Sequence, residues 1–261
     1  MNNLELNKIY CESNLDTMAK MPDNFIDLTV TSPPYDDLRD YKGYSFPFED
    51  IAKELYRVTK EGGVVVWVVS DATIKGSETG TSFKQALYFK ECGFNLHDTM
   101  IYKRFASNPP TNRYFQNFEY MFVFSKGKIS KTNLLKDRKN NNLKAGGDNT
   151  RQKDGSVKKG KKTGMKLNEY GIRENIWEYQ CQHSLDKTNH PAVFPENLVR
   201  DHIYTWSDEG DLVYDCFMGS GTTAKMAHIY KRRWIGSDIS KEYVDIANKR
   251  LKQYIDQLTM F

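Results

Sequence analysis

The segment with the clearest capacity for chemistry is Thr31-Ser32-Pro33-Pro34-Tyr35, which follows an apolar run at residues 25–30. Two consecutive prolines stiffen the chain and donate no N–H, so the Ser32 hydroxyl and the proline carbonyls remain as hydrogen-bond acceptors beside the Tyr35 ring. A planar ring with an exocyclic amine, such as a nucleobase, suits this arrangement, because Tyr35 can stack on the ring while the acceptors hold the amine. A tight loop that merely closes a strand is the alternative interpretation.

A second segment, Asp215-Cys216-Phe217-Met218-Gly219-Ser220-Gly221-Thr222-Thr223, lies between a predicted strand and a predicted helix. Its glycines let a ligand approach the backbone at a helix N-terminus, and Asp215 ends the strand where α/β sheets bind ligands. Asp238 ends the next predicted strand, where a carboxylate can accept hydrogen bonds from a ribose diol. A nucleoside cofactor is therefore predicted.

The loop sequence narrows the choice of cofactor. It reads GxGTT rather than a complete GxGxxG, which disfavours a dinucleotide. The nearest match to a P-loop, residues 155–161, is followed by Lys162 where a serine or threonine should coordinate magnesium, and no strand precedes it. A nucleoside without a phosphate chain, S-adenosyl-L-methionine, fits better.

The predicted elements alternate on both sides of one polar interruption. Strands are predicted at residues 25–31, 64–69, 97–102, 119–124, 211–215 and 233–237, and helices at 48–60, 82–92, 222–230 and 240–257. The run 64–69 is apolar throughout, as in a strand covered on both faces, and Gly62-Gly63 is expected to end the preceding helix. The alternation predicts an α/β fold with a doubly wound sheet that is interrupted once.

Composition limits the classes of protein that remain. No apolar run is long enough for a membrane span, and the N-terminus lacks the features of a secretory signal, so we expect a cytoplasmic protein. The four cysteines are scattered without metal-ligand spacing, so no metal site is predicted.

Residues 126–166 hold 14 lysines and arginines against three acids, in a chain of net charge +4. Such a segment is typical of a phosphate-backbone partner, with a solvated lysine-rich loop as the alternative.

These segments together resemble the DNA amino-methyltransferases that modify cytosine N4 or adenine N6. Residues 31–35 look like the catalytic motif of that family and residues 215–223 like its cofactor motif. Residues 190–198, HPAVFPENL, look like the part that closes over the methionine end of the cofactor. The order of catalytic motif, target-recognition segment and cofactor motif is that of the β group.

The resemblance covers nearly the whole chain and implies a Rossmann-like, seven-stranded, mostly parallel sheet. Residues 1–124 and 190–261 would form the two halves of one methyltransferase domain, and residues 125–189 a basic target-recognition insertion that binds double-stranded DNA. The implied catalytic residues are Ser32, Pro33, Pro34 and Tyr35. The implied residues for S-adenosyl-L-methionine are His190, Pro191, Phe194, Pro195, Asp215, Phe217, Gly219, Ser220, Gly221, Thr222, Thr223 and Asp238. The predicted DNA-binding residues are Lys158, Lys159, Lys161, Lys162, Arg104 and Arg113.

Four points leave alternatives open. Ser32 stands where adenine enzymes commonly have aspartate, which favours cytosine N4 and leaves adenine N6 as the alternative. Relatives often carry an acidic residue near the position of Ser13, so no contact to the cofactor's adenine is assigned there. An RNA amino-methyltransferase and a catalytically silent DNA-binding module are the rival hypotheses. The sequence does not decide whether the protein forms a homodimer or whether a separate cognate restriction endonuclease accompanies it.

Overall fold

The computed structural model describes residues 4–34, 46–104, 111–142, 144, 149–159, 165–179 and 194–258. Its helices are α1 (Asn14–Ala19), α2 (Phe48–Val58), α3 (Thr81–Glu91), α4 (Glu196–Trp206), α5 (Thr222–Ile229) and α6 (Lys241–Leu258). Its strands are β1 (Lys8–Cys11), β2 (Ile26–Thr31), β3 (Thr59–Val69), β4 (Thr73–Ile74), β5 (Ser77–Glu78), β6 (Asn95–Lys103), β7 (Phe118–Ser125), β8 (Arg138–Lys139), β9 (Asn149–Arg151), β10 (Val157–Lys159), β11 (Tyr170–Gly171), β12 (Ile176–Glu178), β13 (Leu212–Asp215) and β14 (Arg233–Asp238).

The central sheet follows the order β1-β14-β13-β2-β3-β7-β6-β12. Strand β7 runs antiparallel to both of its neighbours, and the remaining pairs are parallel. The predicted α/β class and mostly parallel sheet are therefore confirmed, but the described part of this sheet has eight strands where seven were expected. The outermost strand on one side is β12, which has three residues and pairs with β6.

Hydrophobic burial explains why the central strands and α2 form where they do. The run 64–69 in β3 is buried throughout, as expected for a strand covered on both faces, and Ile51, Leu55 and Val58 form the buried face of α2. The expectation that Gly62-Gly63 stops this helix is wrong. The helix ends at Val58, because Thr59 takes extended backbone angles and starts β3, within which both glycines lie.

The chain divides into two compact units. The first comprises residues 1–133 and 175–261 and contains the central sheet; the second is Leu134–Glu174. In the second unit β8 pairs with β11 and β9 with β10, and Arg173 forms an ion pair with Asp137. This second unit falls within the interval 125–189 that we interpret as a target-recognition insertion. Among the described residues, no helix is both long and apolar enough to cross a membrane.

Candidate active site

The pairing of β2 with β13 brings the two chemical segments of the sequence together. Tyr214 lies opposite Thr29, so the residues that follow both strands leave the sheet at the same edge. In sequence Ser32 follows directly on β2 and Cys216 directly on β13. Because ligands of open α/β sheets bind at the carboxyl ends of the strands, this edge is the candidate active site. Pro33 is buried there, and Ser32 and Pro34 are half-buried.

Asp215 is the last residue of β13 and is almost fully buried. Its Oδ1 accepts hydrogen bonds from the Thr31 hydroxyl at 2.6 Å and from the Phe217 N–H at 3.0 Å. Its Oδ2 accepts a hydrogen bond from the Thr223 hydroxyl at 2.6 Å. Burial raises the pKa of Asp215 to about 6, while the hydrogen bonds from the two threonines oppose that change. The predicted cofactor ligand Asp215 is thus engaged by three donors of the protein itself.

The glycine-rich loop after β13 has the tight conformation that a ligand-binding backbone needs. Gly221 has a φ of +80°, and a Cβ there would lie 2.9 Å from the Cβ of Ala247 on α6, so a larger residue would clash. Gly219 has a φ of +50°. Phe217, which the sequence assigns to the cofactor, packs edge-on against Phe46 and Trp67. The loop therefore leads into α5 with its backbone at the sheet edge.

Asp238 lies at the end of β14, as predicted. Its Oδ2 accepts a hydrogen bond from the Gly219 N–H at 2.8 Å, and its Oδ1 accepts one from the Ser240 N–H at 2.8 Å. The carboxylate thereby joins the glycine-rich loop to the start of α6. The side chain remains half-exposed at the sheet edge, in the position where a strand-end acid binds a ribose.

The segment that precedes α4 is fixed by an ion cluster that the sequence analysis missed. Pro195 is buried, and Phe194 is half-buried. The next residue, Glu196, binds both Lys225 of α5 and Arg250 of α6 through its Oε1. Arg250 also donates to the Thr222 hydroxyl at 2.9 Å and to the Ser220 carbonyl at 3.1 Å. Glu196 thus connects the predicted cofactor-closing segment to the predicted cofactor loop.

The N-terminal residues also approach this edge. Ser13 caps α1 by accepting a hydrogen bond from the Leu15 N–H, which is a local structural role. The buried amide of Asn14 donates to the Cys216 carbonyl at 3.2 Å. Burial raises the pKa of the Cys216 thiol well above its usual range, so this cysteine is a neutral packing residue rather than a nucleophile.

Several predicted site residues lie outside the described part of the chain, namely Tyr35, Lys161, Lys162, His190 and Pro191. Of the predicted DNA-binding residues that are described, Lys158 is exposed on β10, the strand to which Lys159 also belongs. The two arginines have intramolecular partners. Arg104 forms an ion pair with Glu119 at 3.1 Å, and Arg113 donates to Thr73 and to the Gly76 carbonyl in the β4–β5 hairpin.

The sequence analysis gave no individual role to four residues of this edge: Thr31, Glu196, Lys225 and Arg250. Two of them carried a usable signal, since Thr31 and Glu196 lie within the motif-like segments at residues 31–35 and 190–198. Arg250 and Lys225 looked like ordinary helix residues. Among the described residues, no three His, Cys, Asp or Glu side chains cluster as metal ligands.

The fold, which brings the Ser-Pro-Pro segment and the glycine-rich loop to the same edge of the sheet, is that of the α/β methyltransferases. The family model described as DNA methylase matches residues 26–249. The chain therefore belongs to the N6/N4 DNA methylase family, and its predicted cofactor class, S-adenosyl-L-methionine, is confirmed.

One curated relative and two solved structures are similar to this chain. The orphan methyltransferase M.BamHII of Bacillus amyloliquefaciens is 63% identical over 239 residues, which cover 88% of this chain and 90% of that protein. Among solved structures, the PvuII DNA methyltransferase, described as cytosine-N4-specific, superposes with a TM-score of 0.70 at 21% identity, over 92% of this chain and 84% of its own. A complex of M1.HpyAVI with S-adenosylmethionine gives a TM-score of 0.61 at 22% identity, over 93% and 98% of the two chains.

Proposed function

We propose that this DNA amino-methyltransferase transfers a methyl group from S-adenosyl-L-methionine to cytosine N4 at specific sites in double-stranded DNA. The observation that carries the proposal is the pairing of β2 with β13. Ser32-Pro33-Pro34 and the loop Phe217–Gly221 follow these two parallel strands at the same edge of the sheet, which supports a site where a base amine and a methyl donor meet. A DNA substrate also implies the cytoplasm as the compartment of the enzyme.

The described residues fit the cofactor. The backbone of Gly219 approaches the sheet edge with a positive φ, and Asp238 is fixed beside it as an acceptor for the ribose hydroxyls. Phe194 and Pro195 lie at the start of α4, where they would border the methionine end. When bound, S-adenosyl-L-methionine supplies an electrophilic methyl group for transfer.

The protein's own contribution to the reaction is orientation. The target base is flipped out of the duplex, which costs a few kcal/mol of unstacking, and we expect Tyr35 to stack on it. The Ser32 hydroxyl and the Pro33 carbonyl accept hydrogen bonds from the exocyclic amine. They hold its lone pair toward the methyl group and stabilise the positive charge that develops on nitrogen.

Cytosine N4 is favoured over adenine N6 by Ser32, which replaces the aspartate that is common in the adenine enzymes. The test is to methylate unmodified DNA with the purified enzyme, digest it to nucleosides and weigh them by mass spectrometry. N4-methylcytosine supports the proposal, and N6-methyladenine alone rejects the choice of base. Sequencing with detection of modified bases in cells that express the enzyme then gives the recognition site.

The second compact unit supplies the proposed contact to DNA. Lys158 and Lys159 lie on β10, which pairs with β9 in a two-stranded ribbon that also exposes Arg151. A two-stranded ribbon is narrow enough for the major groove, and its cations would neutralise backbone phosphates. Arg104 and Arg113 are held by protein partners in this structure, so we expect them to contribute less than the lysines.

The rival hypotheses have direct tests. For an RNA amino-methyltransferase, structured RNA should outcompete a duplex oligonucleotide for methyl transfer, and we expect the reverse. For a catalytically silent DNA-binding module, calorimetry should detect no binding of S-adenosyl-L-methionine. Gel filtration with light scattering decides between a monomer and a homodimer, and neighbouring genes decide whether a cognate restriction endonuclease exists.

A further inference from the structure

The carboxylate of Asp215 joins the two loops of the candidate site. Thr31 is the last residue of β2, and its hydroxyl donates to one oxygen of this carboxylate, whereas Thr223 in the first turn of α5 donates to the other. All three side chains are buried, with exposed fractions of 0%, 1% and 2% for Thr31, Thr223 and Asp215. The bridge therefore joins the end of β2 to the start of α5, two segments that lie far apart in the sequence.

A carboxylate that binds a cofactor directly must turn an oxygen toward it. Asp215 is too enclosed for that role, because the hydroxyls of Thr31 and Thr223 and the N–H of Phe217 approach its two oxygens within 3.0 Å. Three donors that converge on one buried carboxylate instead fix its position rigidly, since each is charge-assisted and shielded from water. The contacts indicate that Asp215 organises the protein around the cofactor.

The bridge includes Thr31, the residue immediately before the proposed catalytic segment. Thr31 is held on one side by its pairing with Trp67 of β3 and on the other by Asp215. Ser32 and Pro33 follow without an intervening residue, and Pro33 has a fixed φ, so a shift of Thr31 is transmitted directly to the acceptors. A misplacement of about 1 Å at a reacting group lowers a rate by up to about 100-fold.

We propose that Thr31 is a positioning residue for methyl transfer, and that it places Ser32 and Pro33 through its hydrogen bond to Asp215 rather than by contact with substrate or cofactor. Asp215 is accordingly the hub of the bridge, in place of the cofactor ligand that its motif suggests. This inference rests on the proposed function, because it concerns the orientation of the base amine.

The test begins with three variants of β2. Thr31→Val removes the donor at nearly constant volume, and Thr31→Ser retains it. Thr29→Val is the matched control, because Thr29 is equally buried on the same strand and its hydroxyl has no hydrogen-bond partner among the described residues. We expect Thr31→Val to lower kcat by about tenfold or more. Thr31→Ser should recover most of that loss, and Thr29→Val should leave kcat within about twofold of the wild type.

Binding measurements separate positioning from cofactor binding. The dissociation constant of S-adenosyl-L-methionine, measured by calorimetry, should change by less than about threefold in Thr31→Val and in Asp215→Asn. The Asp215→Asn substitution keeps the shape of the side chain, and the Thr223 hydroxyl, which also lies 3.3 Å from the Val30 carbonyl, can donate there instead. If Asp215→Asn raises that dissociation constant tenfold or more, which corresponds to about 1.4 kcal/mol, Asp215 is a cofactor ligand and the inference is overturned.

A kcat for Thr31→Val equal to that of Thr29→Val also overturns the inference. Thr223→Val provides an independent route to the bridge from α5, and it should lower kcat as Thr31→Val does, even if Thr31→Val fails to fold. Failure of the proposed function looks different, because the wild-type enzyme would then transfer no radiolabelled methyl group to DNA.

Discussion

Arg250 and Glu196 meet at the junction of three helices, where Nη2 of the arginine donates to Oε1 of the glutamate at 2.5 Å. Lys225 binds the same oxygen, so two cations share one carboxylate at a mostly buried position. Glu196 begins α4, Lys225 lies on α5 and Arg250 on α6. The cluster thereby fixes the segment before α4 against the loop at residues 219–222.

Removal of the shared carboxylate should be costly. We predict that Glu196→Gln lowers the free energy of unfolding by about 3 kcal/mol, because it leaves two buried cations without a counter-charge. Urea unfolding measures this change. Glu209→Gln is the matched control, since Glu209 forms an exposed ion pair with Lys231 at 3.6 Å and should cost less than about 1 kcal/mol. Equal effects of the two substitutions would contradict the role given to the cluster.

Ser32→Ala should lower kcat by about 100-fold, because the proposed mechanism uses its hydroxyl as an acceptor for the charge that develops on the amine nitrogen. The dissociation constant of S-adenosyl-L-methionine should stay near that of the wild type. Steady-state methylation and calorimetry measure the two quantities. Ser77→Ala, an exposed serine in the β4–β5 hairpin, serves as the control and should have wild-type activity. Wild-type activity of Ser32→Ala would remove this serine from the mechanism.

His202 should make the fold sensitive to acid. Burial lowers its pKa to about 3, and Asp201 opposes this only partly; the Trp206 indole donates to its Nδ1 at 3.2 Å. Between pH 6.5 and 3, His202 is protonated in the unfolded chain but stays neutral in the folded protein. Stability therefore falls as the pH falls, by up to about 1.4 kcal/mol per pH unit from this residue. Urea unfolding of His202→Gln should show a shallower loss between about pH 6.5 and pH 5; an identical slope would contradict the prediction.

Asp215 should have the opposite dependence on pH. Burial raises its pKa to about 6 from an ordinary 3.8, and the carboxylate of Asp238 adds to that rise. The folded protein therefore keeps a proton that the unfolded chain has lost between these values, so this residue's contribution to stability falls as the pH rises from 3.8 to 6. The stability of Asp215→Asn relative to the wild type should increase over that interval, as urea unfolding at about pH 4.5 and pH 7 would show. A constant difference would place the pKa of Asp215 near its ordinary value.

Replacement of Lys158, Lys159, Lys161 and Lys162 by alanine should weaken DNA binding irrespective of sequence. The slope of log K against log salt should decrease by about 0.9 for each lysine that contacts a phosphate. Fluorescence anisotropy at several salt concentrations measures this slope. The control removes two exposed lysines of α6, Lys249 and Lys252, and should leave the slope unchanged. An unchanged slope in the fourfold variant would show that these four lysines do not contact phosphates.

Local patterns were sufficient to predict most of the central elements. The apolar run 64–69 and the helical spacing of Ile51, Leu55 and Val58 depend on neighbours in sequence, and both lie in elements of the expected type. The prediction at Gly62-Gly63 was wrong because sheet pairing overrides a local stop signal: the Gly62 N–H donates to the Lys126 carbonyl at 2.7 Å. Strands β1 and β12 and helices α1 and α4 were missed. Three of these are short, with four, three and six residues in β1, β12 and α1. Helix α4 does carry a pattern, since Leu198, Val199, Ile203 and Trp206 form a buried face at helical spacing.

The sequence by itself determined the family of this protein, because the Ser-Pro-Pro segment and the glycine-rich loop are contiguous motifs that local residue types define. It did not determine how those segments are held. The contacts of Thr31 with Asp215 and of Glu196 with Arg250 join residues 184 and 54 positions apart. Only the order of strands in the sheet and the packing of helices against it bring such groups within hydrogen-bond distance, and burial then gives each contact its strength.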